Sequence, residues 1–117
     1  MRKVEKPWGH ELIWAETKSY VGKILHIKAG ERLSLQYHEV KEETILISRG
    51  HMQLEHYREG EPPQILEMKE GDVFHIPPRL RHRMIGVADT DVFEVSTPHL
   101  EDVVRLEDRY GRIPDAR

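Results

Sequence analysis

The chain has 117 residues, and 18 Lys and Arg against 21 Asp and Glu give it a formal net charge of -3. This balance provides no electrostatic attraction to nucleic acid or to an anionic membrane, and the absence of cysteine excludes disulfides, thiolate metal sites and a cysteine nucleophile. No segment approaches the roughly 18 apolar residues of a membrane span, and the N-terminal run lacks the apolar core of a signal peptide. We therefore expect one soluble, cytoplasmic domain over residues 1–117.

The hydrophobic pattern repeats every two residues, which is typical of β-strands rather than helices. In the first predicted strand Val21, Leu25 and Ile27 share one face, and Lys23 falls on the same face. Residues 43–49 have aliphatic side chains on both faces, which predicts a strand buried on both sides. In chain order the predicted strands are residues 20–28, the run through Gln36 and His38, and residues 43–49, 51–57, 64–68, 71–76, 81–87 and 91–96.

Turn residues separate these strands. The polar run 58–63 joins two strands and predicts a hairpin, while Pro77-Pro78 ends the next strand because proline cannot donate to a ladder. Many short strands joined by turns predict an all-β sandwich or barrel. The C-terminal run 99–112 spaces its aliphatic residues as a helix does, so we predict one or two helical turns there.

Four polar residues are candidate metal ligands. Gln36 and His38 lie two positions apart and point to the same side of a strand, and Glu43 follows a short polar turn. His82, directly after the proline corner, is the candidate fourth donor. Inward side chains from neighbouring strands of a closed sheet can converge on one divalent cation. The alternative is that each is an ordinary surface polar residue, since the chain has eight histidines.

The spacing of these residues resembles the two motifs of the cupin superfamily. The pattern runs Gly30-x5-Gln36-x-His38-x4-Glu43-x6-Gly50, followed by Gly71-x5-Pro77-x4-His82. Gln36 stands where most cupins have a histidine, and this points to the cupin isomerase domain of type II mannose-6-phosphate isomerases. The resemblance continues through "KPWG" at residues 6–9, "GERLSLQYH" at 30–38 and "EDVVRLEDRYGR" at 101–112. It implies a cupin-type double-stranded β-helix, a jelly-roll barrel, as a single domain.

The chain also departs from that family pattern. The family usually has His, His and Arg after the metal-binding His and Trp two residues after the Glu, where this chain has Glu39, Val40, Lys41 and Ile45. Arg79 stands in place of the usual Gly after the proline corner, and Gly86 in place of the Asn that ends the second motif. The nucleotidyltransferase domain often fused in that family is absent from this sequence, so its activity is not carried over.

The resemblance implies a metal-dependent isomerase that interconverts mannose 6-phosphate and fructose 6-phosphate through a metal-stabilised enediolate. Its cofactor would be one divalent ion held by Gln36, His38, Glu43 and His82, with zinc favoured by the resemblance. The N/O donor set also accepts Mn, Fe, Co or Ni. Two alternatives stay open, namely a cupin oxygenase and a non-catalytic sugar-binding or sensor module, because one barrel hosts many reactions.

Several cations are candidates for handling a sugar phosphate. Lys41 stands where the family usually has Arg, and it is either a catalytic residue or an exposed turn lysine. Arg105 and Arg112 lie in the C-terminal segment that would fold over the barrel opening, and they bind phosphate or pair with nearby carboxylates. Lys41 and Arg105 are counted as candidate catalytic residues and Arg112 as a substrate-binding residue.

Three further candidates lie on either side of the proline corner. Arg81 and Arg83 flank His82 and are either substrate-binding residues or a solvated strand end. His75 is a candidate catalytic base together with Glu43, although a ligated carboxylate is the poorer base. The partner expected from these residues is a small sugar phosphate. A small barrel with exposed strand edges also tends to pair, so we expect a homodimer.

Overall fold

The computed structural model describes residues 1–112, in which the chain forms eleven β-strands and no helix. The strands are β1 (Arg2–Lys6), β2 (Gly9–Glu16), β3 (Val21–Ile27), β4 (Leu35–Tyr37), β5 (Glu43–Arg49), β6 (His51–Tyr57), β7 (Gln64–Lys69), β8 (Val73–Ile76), β9 (Arg81–Gly86), β10 (Thr90–Ser96) and β11 (Val104–Glu107). Residues 113–117 of the predicted domain lie outside the described residues. Within the described range, no helix could span a membrane.

The strands form two antiparallel sheets that enclose one core. The first sheet has the order β1-β2-β3-β10-β5-β8 and the second the order β11-β4-β9-β6-β7. Both sheets contribute aliphatic side chains to a common cluster, for example Ile27 and Ile45 from the first and Leu54 and Met84 from the second. Strands that are distant in sequence, such as β3 and β10, pair directly. This arrangement confirms the predicted all-β, cupin-type double-stranded β-helix.

The two-residue period decides which side chains reach the core. On β3 the predicted face is confirmed, because Val21, Leu25 and Ile27 are buried and Lys23 is buried beside them. On β5 the prediction of burial on both faces is wrong. Ile45 and Ile47 are buried, whereas Leu46 between them is exposed, because no layer covers the outer face of the first sheet in the described chain.

The predicted helix in residues 99–112 is also wrong. This segment forms β11, which pairs with β4 and adds the last strand to the second sheet. A spacing of aliphatic residues that suits a helix is a weak preference, and hydrogen bonds to the edge of β4 outweigh it. The N-terminal hairpin of β1 and β2 was not predicted from the sequence, and it extends the first sheet beside β3.

Arg79 occupies a strained position in the turn between β8 and β9. Its φ is 71°, the one positive value at a non-glycine position in residues 1–112, and the Leu80 N–H donates to the Pro77 carbonyl across the turn at 3.3 Å. A left-handed backbone costs an L-residue about 1–2 kcal/mol, which explains why a glycine suits this position. The Arg79 N–H donates to the His38 carbonyl at 2.6 Å, so the turn also supports a candidate metal ligand.

We expect Arg79→Gly to raise the free energy of unfolding by about 0.5–1 kcal/mol, since relief of strain exceeds the extra chain entropy of glycine. The Arg79 side chain is exposed and contributes only an ion pair with Glu39 at 4.0 Å. Urea denaturation of both proteins measures the change. Arg79→Ala is the matched control, because it removes the same side chain but keeps the Cβ atom. Equal stability of the Gly and Ala variants would contradict strain at this turn.

Candidate metal centre and its cavity

Three candidate ligands converge at one end of the barrel. His38 follows β4, Glu43 begins β5 and His82 lies on β9, and one donor atom from each lies within 4.8 Å of the others. His38 Nε2 and Glu43 Oε2 are 3.4 Å apart. All three side chains are buried. The two sheets therefore bring together donors that are separated by up to 44 positions in the chain, from residue 38 to residue 82.

Hydrogen bonds fix the orientation of both imidazoles. His38 Nδ1 bonds the Asp102 carbonyl, and His82 Nδ1 bonds the Leu80 carbonyl at 2.9 Å. A carbonyl only accepts, so in each ring Nδ1–H donates and Nε2 carries the free lone pair. Both Nε2 atoms are buried and have no hydrogen-bond partner among residues 1–112. Burial lowers the pKa of both rings, which favours the neutral form that binds metals.

Gln36 lies next to this cluster. It stands directly opposite His82 in the pairing of β4 with β9, so both side chains are on the same face of the sheet. The Ser34 hydroxyl donates to Gln36 Oε1 at 2.6 Å, and this oxygen keeps a second lone pair. The four residues fit an N/O site for a divalent ion: two neutral imidazoles, one carboxylate and an amide oxygen.

The cluster lies against a cavity of about 440 Å³. Trp8, Leu25, Leu33 and Met84 form its apolar wall, and charged residues surround the rest. The charged and polar residues that line it are Arg2, Lys6, Glu11, Glu16, Lys23, Gln36, His38, Lys41, Glu43, Glu94, Glu101, Arg105 and Arg112. Such a lining suits a small polar ligand that is held by charge and by hydrogen bonds.

Lys41 bridges two buried carboxylates in this cavity. Its Nζ is 3.1 Å from Glu43 Oε2 and 3.1 Å from Glu94 Oε2, and all three side chains are at most 6% exposed. Burial by itself would lower the pKa of Lys41, but Glu94 and Glu43 outweigh it and raise the pKa above its ordinary value. Burial and the neighbouring Glu94 raise the pKa of Glu43. For Glu94 burial acts in the same direction, but Lys41 and Lys23 reverse it and lower the pKa.

Glu94, Lys23 and Lys6 also line the cavity, and none of them is among the predicted site residues. Glu94 alternates with Val92 and Ser96 on the buried face of β10, and Lys23 lies on the buried face of β3, where it pairs with Glu11 at 3.4 Å. A charged residue at a core-facing position of a strand was the available signal, since buried charges are rare without a partner or a function.

Asp102 connects the C-terminal segment to the candidate ligands. Its carboxylate accepts the backbone N–H groups of Glu39 at 3.1 Å, Val40 at 2.8 Å and Lys41 at 2.8 Å. Its backbone carbonyl accepts the proton of His38 Nδ1. One residue therefore holds the loop between β4 and β5 and orients an imidazole. The N–H groups of Lys41 and Val40 are the main reason that the pKa of Asp102 falls to about 2.

We expect Asp102 to contribute stability above about pH 4 that is lost as the pH falls toward 2. The folded pKa is below the ordinary value of 3.8, so acid protonates the unfolded chain first and favours unfolding. Asp102→Asn keeps an acceptor but removes the charge, and its stability should fall less between pH 4 and pH 2 than that of the original chain. Chelator-treated samples exclude metal release as a cause. Parallel pH profiles for the two proteins would contradict this assignment.

Three of the predicted site residues lie outside the cavity. His75 on β8 is exposed and bonds Glu42 at 2.6 Å, so it is not placed to act as a base there. Arg81 is exposed over the Tyr57 ring. Arg83 pairs with Glu55 at 3.1 Å and with Glu107 at 3.5 Å. Successive side chains of a strand point to opposite faces, so Arg81 and Arg83 face outward because His82 between them faces inward.

Lys41, Arg105 and Arg112, in contrast, do line the cavity. Arg105 stands directly opposite Gln36 in the pairing of β11 with β4, which places it one strand from the candidate metal ligands. Arg112 bonds the Asp108 carboxylate through two nitrogens, at 2.7 and 3.1 Å. Arg105 and Arg112 are the cations that the sequence pattern singled out in the C-terminal segment, although the helix predicted for that segment is wrong.

Known proteins resemble this chain in sequence and in fold. The xanthan biosynthesis protein XanB of Xanthomonas campestris pv. campestris is 30% identical over 116 residues, which cover 95% of this chain and 24% of XanB. This chain therefore spans about a quarter of the length of that relative.

Solved structures show the same fold at lower identity. Oxalate decarboxylase from Lactobacillus farciminis has a TM-score of 0.74 at 21% identity, over 90% of this chain and 33% of that chain. KdgF from Halomonas sp. has a TM-score of 0.71 at 20% identity, over 84% of this chain and 88% of that chain. The family model described as "Mannose-6-phosphate isomerase C-terminal" matches residues 1–108. This chain therefore belongs to the mannose-6-phosphate isomerase C-terminal family of cupins.

Proposed function

We propose that the protein is a metal-dependent isomerase of a sugar phosphate, with mannose 6-phosphate and fructose 6-phosphate as the pair suggested by its family. The observation that carries this proposal is the convergence of His38 Nε2, His82 Nε2 and the Glu43 carboxylate beside a cavity that is rich in cations. Two buried nitrogens without a hydrogen-bond partner in residues 1–112 are costly unless something binds them.

His38, Glu43 and His82 would hold the metal, with Gln36 as the fourth ligand. Zinc is our first choice, and Mn, Fe, Co and Ni suit the same N/O donors. A bound divalent ion would act as a Lewis acid that polarises the sugar carbonyl. Two neutral imidazoles and one carboxylate leave such a site with a net positive charge, which favours an anionic ligand.

The chain's own side chains would handle the proton. Isomerisation breaks a C–H bond at one carbon, returns the proton to its neighbour and moves the carbonyl, with no net oxidation. Lys41 stays protonated between its two carboxylates, so we assign it as a hydrogen-bond donor to a substrate oxygen and not as a base. Glu94 is ionised, lines the cavity and is not a proposed metal ligand, so it replaces His75 as our candidate base.

A coupled assay tests the proposal. Protein that has been freed of metal with a chelator is reloaded with Zn, Mn, Fe, Co or Ni. Mannose 6-phosphate is then added, and the formation of fructose 6-phosphate is followed. We expect activity only after reloading, and loss of turnover with retained metal in Glu94→Gln. Metal binding without turnover of any sugar phosphate would favour the sugar-binding alternative. Iron in the purified protein together with oxygen consumption would favour an oxygenase.

We also propose that the protein is a homodimer that pairs through the outer face of its first sheet. Five apolar residues stand directly opposite one another across β2, β3, β10, β5 and β8, namely Leu12, Ile24, Phe93, Leu46 and Val73. Strands about 4.8 Å apart make this row about 20 Å long. Phe93 at its centre is 39% exposed and Val73 at one end is 60% exposed. A row that is apolar from end to end suits a two-fold axis at its centre, where each half meets the other.

Phe93→Lys should convert the dimer to a monomer, since a lysine at the two-fold axis would face its own copy without a partner for its charge. Val87→Lys is the matched control, because Val87 is 47% exposed but lies outside the row. Light scattering coupled to size exclusion measures the mass. A monomeric original chain, or a Phe93 variant that stays dimeric, would contradict the assigned face.

A further inference from the structure

The charges that line the cavity are not all neutralised by one another. Lys23 pairs with Glu11 at 3.4 Å, Arg2 pairs with Glu16 at 3.0 Å, and Lys41 pairs with both Glu43 and Glu94 at 3.1 Å. These pairs account for four of the five carboxylates that line the cavity, which are Glu11, Glu16, Glu43, Glu94 and Glu101. The fifth, Glu101, is exposed.

Two cations remain without a carboxylate. In the described part of the chain, neither Lys6 nor Arg105 forms an ion pair or a side-chain hydrogen bond, and Arg105 Nε is buried without any partner. Burial, followed by Arg112, lowers the pKa of Arg105. Burial also lowers the pKa of Lys6, and Lys23, Arg112 and Arg105 act in the same direction against Glu11. These cations therefore repel one another in a chain whose net charge is -3.

The fold brings these two cations to the same cavity from opposite ends of the described chain. Lys6 ends β1, and Arg105 lies on β11 directly opposite Gln36. Arg105 is therefore one strand away from the candidate metal ligands, on the same face of the sheet. Arg112 lines the same cavity but is held by Asp108, so it adds to the positive field while its hydrogen bonds are already used.

We propose that Lys6 and Arg105 form an anion subsite that binds the phosphate of a phosphorylated sugar. This inference rests on the proposed function, in which the sugar part of the same ligand would lie at the metal site of His38, Glu43 and His82. Two uncompensated cations suit a phosphate dianion better than a single carboxylate, and the Arg fork matches phosphate oxygens. A bound phosphate would supply the missing partner of Arg105 Nε and relieve the repulsion between the cations.

Calorimetry on metal-loaded protein tests the subsite with fructose 6-phosphate, glucuronate and fructose. We expect tightest binding of fructose 6-phosphate, and Kd values about 10- to 100-fold higher in Lys6→Met and in Arg105→Met, since each removes one charge-assisted contact. Binding of fructose and the bound metal should be unchanged. Lys3→Met and Arg81→Met are matched controls, because they remove the same charges from exposed positions outside the cavity.

A second calorimetry experiment uses inorganic phosphate and metal-free protein, so that the result does not depend on the metal or on turnover. Phosphate should bind to the original chain and to His38→Ala, and should bind at least about 10-fold more weakly to Lys6→Met and Arg105→Met. If the protein shows no isomerase activity but the phosphate affinities follow this pattern, the proposed function is rejected and the subsite is retained. Equal phosphate affinity in all variants, no phosphate binding at all, or glucuronate binding as tight as that of fructose 6-phosphate would overturn the inference.

Discussion

Replacing Lys41 by Met is expected to lower the free energy of unfolding by about 3–5 kcal/mol. The substitution leaves two buried carboxylates without their shared cation, because Lys41 Nζ is 3.1 Å from both Glu43 and Glu94. Like charges without a cation between them repel strongly in a buried site. The cost is that of stranding two buried charges, and it exceeds the net contribution of the ion pairs to stability.

Urea denaturation of the metal-free protein measures this decrease in the free energy of unfolding. The double variant Lys41→Met/Glu94→Gln removes one stranded charge and should recover a substantial part of the stability. Lys3→Met is the control for loss of a lysine, because Lys3 pairs with Glu5 on the surface at 3.2 Å and should change stability by less than about 1 kcal/mol. If Lys41→Met unfolds no more easily than Lys3→Met, the buried network is not formed as described.

His38→Ala is expected to remove nearly all bound metal while the fold survives. The substitution takes one of two neutral imidazoles from a compact set of donors that lie within 4.8 Å of one another. Loss of a ligand from a site of this kind weakens metal binding far beyond the about 10- to 100-fold expected for loss of a supporting group. Elemental analysis after dialysis measures metal per chain, and circular dichroism with thermal melting checks the fold.

Three further variants make the metal test specific. His82→Ala should give the same result as His38→Ala, since His82 Nε2 is the other free imidazole nitrogen. His75→Ala is the matched control, because His75 is exposed and bonds Glu42. Asp102→Ala should lower metal affinity by about 10- to 100-fold, because it frees the loop beside His38 and the carbonyl that orients this ring. Full metal content in both His38→Ala and His82→Ala would remove the site as proposed.

Two of the departures from the family pattern, Gly86 and Lys41, have structural explanations. At Gly86 an added Cβ atom would lie 2.8 Å from the Lys28 carbonyl oxygen, so a side chain cannot be accommodated without movement. At Lys41 the usual cationic character is kept, and two carboxylates surround it. Arg79, by contrast, is strained in place of a glycine. Nothing in the described chain explains Ile45 in place of a tryptophan beyond its burial in the core.

Two of the incorrect predictions, those for Leu46 and His75, share one cause. Alternation along a strand predicts which residues share a face, but it does not say which face is inside until a neighbouring strand or layer is known. Leu46 was expected to be buried and is exposed, and His75 was expected in the site and lies outside it. His75 stands opposite Thr44 in the pairing of β5 with β8, and Thr44 faces away from the side on which Glu43 is buried.

The β-character of the chain, most of its strands and the spacing of the four candidate ligands can be predicted from the amino-acid sequence. These features follow from local physics, because the two-residue period and the turn residues act over a few neighbouring positions. Three features depend on the folded chain: residues 104–107 form a strand, Glu94 joins Lys41 at the cavity, and Lys6 and Arg105 line the same cavity. These contacts join strands that are far apart in the chain, and long-range pairing and burial are set by the whole sheet rather than by any local run of residues.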